Sequence, residues 1–127
     1  MRMALEHQNP FVTGSISDVG DQTRAYPATS FSFLKISDPD VMLWSLKPAE
    51  DGIDRGIVVR VWNQSDLPTT YAITLASPIT TAERLTHIET SIEPAQVFGG
   101  RLNAAINQQQ MQTHLLKVNS SSRRSAR

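Results

Sequence analysis

Histidine, serine and the carboxylates supply most acid–base, nucleophilic and metal chemistry, and in this sequence they are thinly spread. His7, His87 and His114 stand far apart. No HExxH pattern, close histidine pair or aspartate-rich cluster accompanies them. They read as surface or interface histidines, and no metal ligand is assigned. The chain has no cysteine, which excludes a thiolate metal site, a cysteine nucleophile and a disulfide scaffold. Serines are frequent, but no GxSxG elbow is present. A triple such as His7, Ser15 and Asp18 is what any serine-rich chain of this size offers. Glu50, Asp51 and Asp54 crowd one segment, and Glu83, Glu89 and Glu93 lie in another. Two carboxylates that cleave a glycosidic bond must face each other across it, usually from separate elements. Neighbours on one stretch read instead as a solvated acidic loop. Gly52 and Gly56, like Gly99 and Gly100, make neither a P-loop nor a GxGxxG helix start. No catalytic and no cofactor-binding residue is assigned.

Two further groups could recognise a ligand. Trp44, Trp62, Phe31, Phe33 and Tyr71 could stack on sugar rings, but aromatic residues in strands more often fill the core. Trp44 and Trp62 are therefore expected mainly inside. His7, Gln8 and Asn9 stand together before Pro10. Proline forces Asn9 toward extended backbone, so the segment should project as an arm toward a substrate or a neighbouring domain. The 12 basic and 12 acidic side chains cancel, so no net field draws nucleic acid or an anionic membrane, and neither is expected as a partner. No apolar run approaches the roughly 20 residues of a transmembrane helix. The N-terminus has no signal-peptide h-region, and a cytoplasmic location is expected. Arg123, Arg124 and Arg127 make a small basic tail, more simply solubilising than nucleic-acid binding.

Strands must position all of these groups. Phe31–Ile36 and Val41–Leu46 are apolar runs on either side of Ser37-Asp38-Pro39-Asp40, a turn by its proline and aspartates. The pair reads as a hairpin, with the second run a buried strand. Lys47–Gly52 is a loop. Gly56–Asn63 is the clearest strand, with Val59, Val61 and Asn63 on one face and Arg60 and Trp62 on the other. Thr69–Leu75 turns Tyr71, Ile73 and Leu75 one way. Ile79–Leu85 is open between one helical turn and extended chain, its threonines favouring the latter. Thr86–Thr90 alternates weakly, Gly99-Gly100 turns the chain into Arg101–Ile106, and Met111–Val118 gives a last strand. A helix across Leu102–Leu116 fits the apolar spacing poorly. The expectation is an all-β fold, a predominantly antiparallel β-sandwich of about 7–8 short strands with turns at roughly 8–12-residue spacing. One domain of 127 residues divides into a sandwich over 1–118 with an extended lead-in over 1–30 and a disordered basic tail over 119–127.

The segment Leu46-Lys47-Pro48-Ala49-Glu50-Asp51-Gly52, followed by Val58-Val59-Arg60-Val61-Trp62-Asn63, resembles the C-terminal β-domain of glycoside hydrolase family 38 α-mannosidases. There a strand ending in "alKpaEdG" runs through a short loop into a strand of the "vvlRlyN" kind. Thr86-His87-Ile88-Glu89-Thr90 resembles the family's "lE" segment. Met111-Gln112-Thr113-His114-Leu115 resembles its closing strand, with Gln110 and Met111 in place of glutamate and isoleucine. Glu6–Pro10 resembles a segment of bacterial members, so the likeness covers Leu5 to Lys117. It implies a fragment of a metal-dependent retaining α-mannosidase whose divalent metal, usually zinc, its ligands and the aspartate nucleophile belong to N-terminal domains. Those domains would be the partners of this one and would carry the mannoside substrate. The fragment itself would hold no cofactor, be inactive, and expose an apolar patch that favours self-association. The alternative is a free-standing carbohydrate-binding module. Within the motif, Pro48 and Gly52 should set the loop. Glu50 and Asp51 should accept backbone N–H bonds, and Arg60 should pair with Glu50 or Asp51.

Overall fold

The computed structural model describes residues 30–119. The arm of His7, Gln8 and Asn9, the lead-in before residue 30 and the tail after residue 119 lie outside the described residues. Eight strands follow in chain order: β1 (Leu34–Ile36), β2 (Val41–Pro48), β3 (Ile57–Asn63), β4 (Thr69–Leu75), β5 (Ile79–Leu85), β6 (Ser91–Phe98), β7 (Arg101–Ile106) and β8 (Met111–Val118). A single 3-10 turn, Ile53–Arg55, sits between β2 and β3. The hydrogen-bonded order is β1-β4-β7-β6-β5-β8-β3-β2, antiparallel throughout. This is the all-β sandwich that the turn spacing predicts. β6 belongs to both halves: Gln96–Phe98 pair with β7, whereas Ser91 and Glu93–Ala95 pair with β5.

Alternation places the core. Val59 and Val61 of β3, Tyr71, Ile73 and Leu75 of β4, Leu102 and Ile106 of β7, Ala82 of β5 and Leu116 of β8 are buried in one cluster. On β3 the two faces divide as the sequence predicts, with Val59, Val61 and Asn63 buried and Arg60 and Trp62 half-buried opposite them. Entry into β3 requires Gly56. Its φ is 132°, and a Cβ there would stand 2.6 Å from the Leu116 carbonyl oxygen, inside any tolerable contact.

Three expectations are corrected. The first two runs do not form a hairpin: β1 pairs with β4 and β2 with β3, at opposite edges of the order. Asp38 accepts a hydrogen bond from Thr69 Oγ1, and Ser37 bonds both ways with Ala72, so the turn is anchored to β4. Second, β2 is an edge strand of which only Val41 is buried. Its register slips between Leu43 and Ser45, making Trp44 the extra residue of a bulge. Trp44 is 46% exposed, against the expected core position. Third, Thr86–Thr90 is a turn closed by Thr86 N–H to the Thr90 carbonyl, with Glu89 at φ 66°. The strand lies beyond it in β6, where Pro94 pairs with Glu83 on one side and precedes the β7 pairing on the other. A proline fits there because its missing N–H is not needed. Ile79–Leu85, open in the sequence between one helical turn and extended chain, is a strand throughout, as its threonines favour.

Candidate functional site

Four residues of the recognisable motif, Lys47, Glu50, Val58 and Arg60, meet in one cleft. β2 and β3 turn Ser45, Lys47, Val58 and Arg60 to the side of the sheet away from the core, and the Thr86–Thr90 turn leans over them. The cleft between has a volume of about 590 Å³ and is lined also by Glu50, His87 and Glu89. Val58, although it faces away from the core, is buried. Lys47 forms an ion pair with Glu89. Arg60 donates from Nε to Thr113 Oγ1 at 3.0 Å and from Nη2 to the His87 carbonyl at 2.7 Å. The planar fork thus binds a neighbouring strand and the turn at once. Two cations and two carboxylates therefore meet in one opening, with most of the charge already committed to holding the turn.

This differs from the expected pairing. Arg60 reaches neither Glu50 nor Asp51, because its side of β3 faces Thr113 of β8 and the turn before β6. Among the described residues Glu50 lines the cleft without an ion pair, and Asp51 lies 4.0 Å from Arg55 on the exposed loop. The loop is closed by backbone bonds instead, Ala49 N–H to Gly56 O and Gly52 N–H to Ala49 O. Gly52 has φ 106°, the conformation expected of it, and Pro48 ends β2 opposite Ile57. Asn63 has a different task. Fully buried, it donates from Nδ2 to the Leu67 and Asn107 carbonyls and accepts from Ser65 N–H, tying together the turns that follow β3 and β7.

The aromatic pair sits beside the cleft. Trp44 and Trp62 meet edge to face, with ring centroids 5.7 Å apart and planes at 87°. Perpendicular rings give no flat two-ring platform. Tyr71, the third candidate, is buried. Among the described residues no group of three histidines, aspartates or glutamates could hold a metal ion, so no step of a metal reaction is assigned to them.

A second polar group, given no role by spacing, lies between the sheets. Tyr71 Oη stands 2.8 Å from His114 Nε2 and 3.1 Å from Gln112 Oε1, and Gln112 Nε2 donates to the Ala105 carbonyl. Burial, with a smaller push from the Arg84 cation, lowers the His114 imidazole to about 4. Burial raises the Tyr71 hydroxyl above its ordinary value. The only signal of this network in the sequence is a polar trio, Gln112-Thr113-His114, inside an apolar closing strand.

Comparison with known proteins agrees with the motif. No curated protein and no solved structure matches the chain. A family model does match, over residues 40–116, and it describes the glycosyl hydrolases family 38 C-terminal beta sandwich domain. The match takes in the Lys47–Gly52 loop, Arg60, the Thr86–Thr90 turn and His114, and covers well over half of the sequence. The chain belongs to the family of glycosyl hydrolases family 38 C-terminal beta sandwich domains.

Proposed function

We propose that this domain is a non-catalytic part of a metal-dependent retaining α-mannosidase, packing on the catalytic domains and supporting them during hydrolysis of α-mannosides. The metal, zinc by family resemblance, and the nucleophile would belong to those other domains. The observation that carries the reading is the apolar edge at β2. Leu43, Trp44 and Leu46 are each more than a third exposed, and Met111 of β8 is exposed as well. Trp62, which packs against Trp44, and Met111, paired with Trp62, lie on the side of the sheet away from the core. Leu43 and Leu46, paired with Val61 and Val59, lie on the other side. This edge therefore shows water apolar surface on both sides, of the kind that partner surfaces cover. Contacts between domains of one chain typically bury roughly 600–1,500 Å². The free-standing carbohydrate module fits less well, because its two indoles are perpendicular.

Trp44→Ser and Leu46→Ser in the intact parent enzyme test the reading. Both are expected to lower its melting temperature and to speed inactivation, while the 127-residue chain alone unfolds at nearly its original denaturant midpoint. The chain alone, loaded with zinc, is expected to leave an aryl α-mannoside intact. Turnover by it, abolished by a point substitution within it, would overturn the non-catalytic assignment. Mannan binding by the isolated chain, lost in Trp44→Ala, would establish the carbohydrate module instead.

A further inference from the structure

The half of the sandwich built by β1, β4, β7 and the end of β6 turns one face away from the core, and its register lays that face out in rows. Lys35 pairs with Thr74, and Phe98 with Arg101. The pairing of Ile73 with Leu102 places Thr74 beside Arg101. One row therefore reads Lys35, Thr74, Arg101, Phe98 across four strands, with its two cations two strands, about 10 Å, apart. The next row, about 7 Å along the strands, reads Ser37, Ala72, Asn103, Gln96. With Thr70 and Ala105, that second row lines a groove of about 420 Å³. Phe98 is 81% exposed, the most open large apolar side chain among the described residues.

The polar groups of this face are largely unspent. Among the described residues Lys35 and Arg101 have no ion pair, and the Gln96 side chain has no hydrogen bond. Asn103 gives an N–H to the Arg101 carbonyl and keeps its Oδ1, and Ser37 accepts from the Ala72 N–H and keeps its hydroxyl proton. No carboxylate stands in either row. Asp38, next to Ser37 in the chain, accepts from Thr69 Oγ1 and the Asp40 N–H, and Glu93, farther back along β6, is paired with Arg84. Two unopposed cations attract an anion. The groove beside them offers amides, hydroxyls and the low methyls of Ala72 and Ala105, a bed on which a hydroxylated ring can lie. Phe98 adds apolar surface at the end of the row. One exposed aromatic and two cations, in a chain of no net charge, do not make the basic track with successive stacking rings that a nucleic-acid strand requires. We propose that this face binds a short acidic oligosaccharide, its carboxylates on Lys35 and Arg101 and its hydroxyls in the groove. The assignment does not depend on the supporting role given to the domain above, and it uses neither the tryptophans nor the cleft beside Arg60.

Amide spectra of the ¹⁵N-labelled 127-residue chain locate the site. Titration with tetragalacturonate is expected to give saturable shifts at Thr74, Gln96, Phe98, Arg101 and Asn103, with a Kd on the order of 1 mM. Mannotetraose, which carries no charge, should bind more weakly by about tenfold or more, and added salt should weaken the acidic ligand alone. Lys35→Gln and Arg101→Gln together should weaken it by about tenfold. Ala72→Leu, which fills the groove from its floor, should weaken it as well, whereas Arg55→Gln on the 3-10 turn should leave it unchanged. The double variant alters two exposed side chains and keeps the test open if Ala72→Leu does not fold. Absence of saturable shifts with tetragalacturonate, or shifts indifferent to both the double variant and Ala72→Leu, would overturn the proposal. Equal binding of mannotetraose would overturn it by removing the need for charge. Tighter binding of a short oligothymidylate through the same residues would overturn it in favour of a nucleic-acid surface.

Discussion

Asn63 shows how much one side chain can organise. Its amide supplies three hydrogen bonds to two turns from a position with no exposure to solvent. Asn63→Ala strands the Leu67 and Asn107 carbonyls, and unsatisfied buried groups cost roughly 1–3 kcal/mol each when water cannot reach them. We expect a loss of about 3 kcal/mol in urea unfolding, with an unchanged dependence on denaturant concentration. His114 makes the complementary prediction in pH. Its ordinary value of 6.5 holds in the unfolded chain, and burial brings it to about 4 in the folded one. Between those values the unfolded chain takes up a proton that the native state refuses. The contribution of this group is therefore full above pH 6.5 and is lost as pH falls toward 4. The span corresponds to about 3 kcal/mol at 1.36 kcal/mol per unit. Unfolding midpoints compared across that range, in the original chain and in His114→Phe, should show the slope in the first and a flatter one in the second. Of these roles the sequence exposes little. Lys47 and Arg60 are conspicuous as types within a motif, but their partners, Glu89 and the His87 carbonyl, lie on a turn whose approach depends on long-range pairing. Asn63 alternates with valines and thereby announces an inward side chain, though not which carbonyls it meets.

Elements were legible where a single force dominated. β4 and the later half of β3 alternate, with one face buried, so periodicity alone draws them. β2 is continuous in apolar residues, the mark of a strand buried on both faces. It lies instead at an edge, with β3 as its one neighbour in the order, and a bulge at Trp44 interrupts its register. β6 is hidden by Pro94 and by the division of its pairing between β5 and β7, which no local pattern encodes. The junction before β3 gives the test at this scale. Gly56→Ala asks an alanine to hold φ 132° with its methyl carbon against the Leu116 carbonyl. Backbone on one side and strain on the other leave no cheap relief. A loss of about 2–4 kcal/mol is expected, whereas Gly52→Ala, with open space around the same kind of backbone, should cost less. Chemical denaturation of the two variants side by side separates close approach from conformational strain.

At the scale of the whole domain, turn chemistry at regular intervals was enough to indicate an antiparallel sandwich, since each Pro, Gly or Asp cluster ends a strand whatever its neighbours are. The cleft beside Arg60 could not be read that way, because its wall of β2 and β3 meets the Thr86–Thr90 turn only after the chain has crossed the sandwich. The order in which strands meet has a consequence for synthesis. β8, the last strand, lies between β3 and β5. As the chain leaves the ribosome from its N-terminal end, β3 waits through some fifty residues for the neighbour that will cover its second side, and β5 waits beside it. Until Met111–Val118 have emerged, Val59, Val61 and Ala82 face a core without Leu116. A nascent chain arrested after Gln110 should therefore remain as sensitive to protease as an unfolded one, and resistance should arrive abruptly when β8 clears the exit tunnel. Chaperone engagement, not stepwise assembly of the sheet, would occupy the interval.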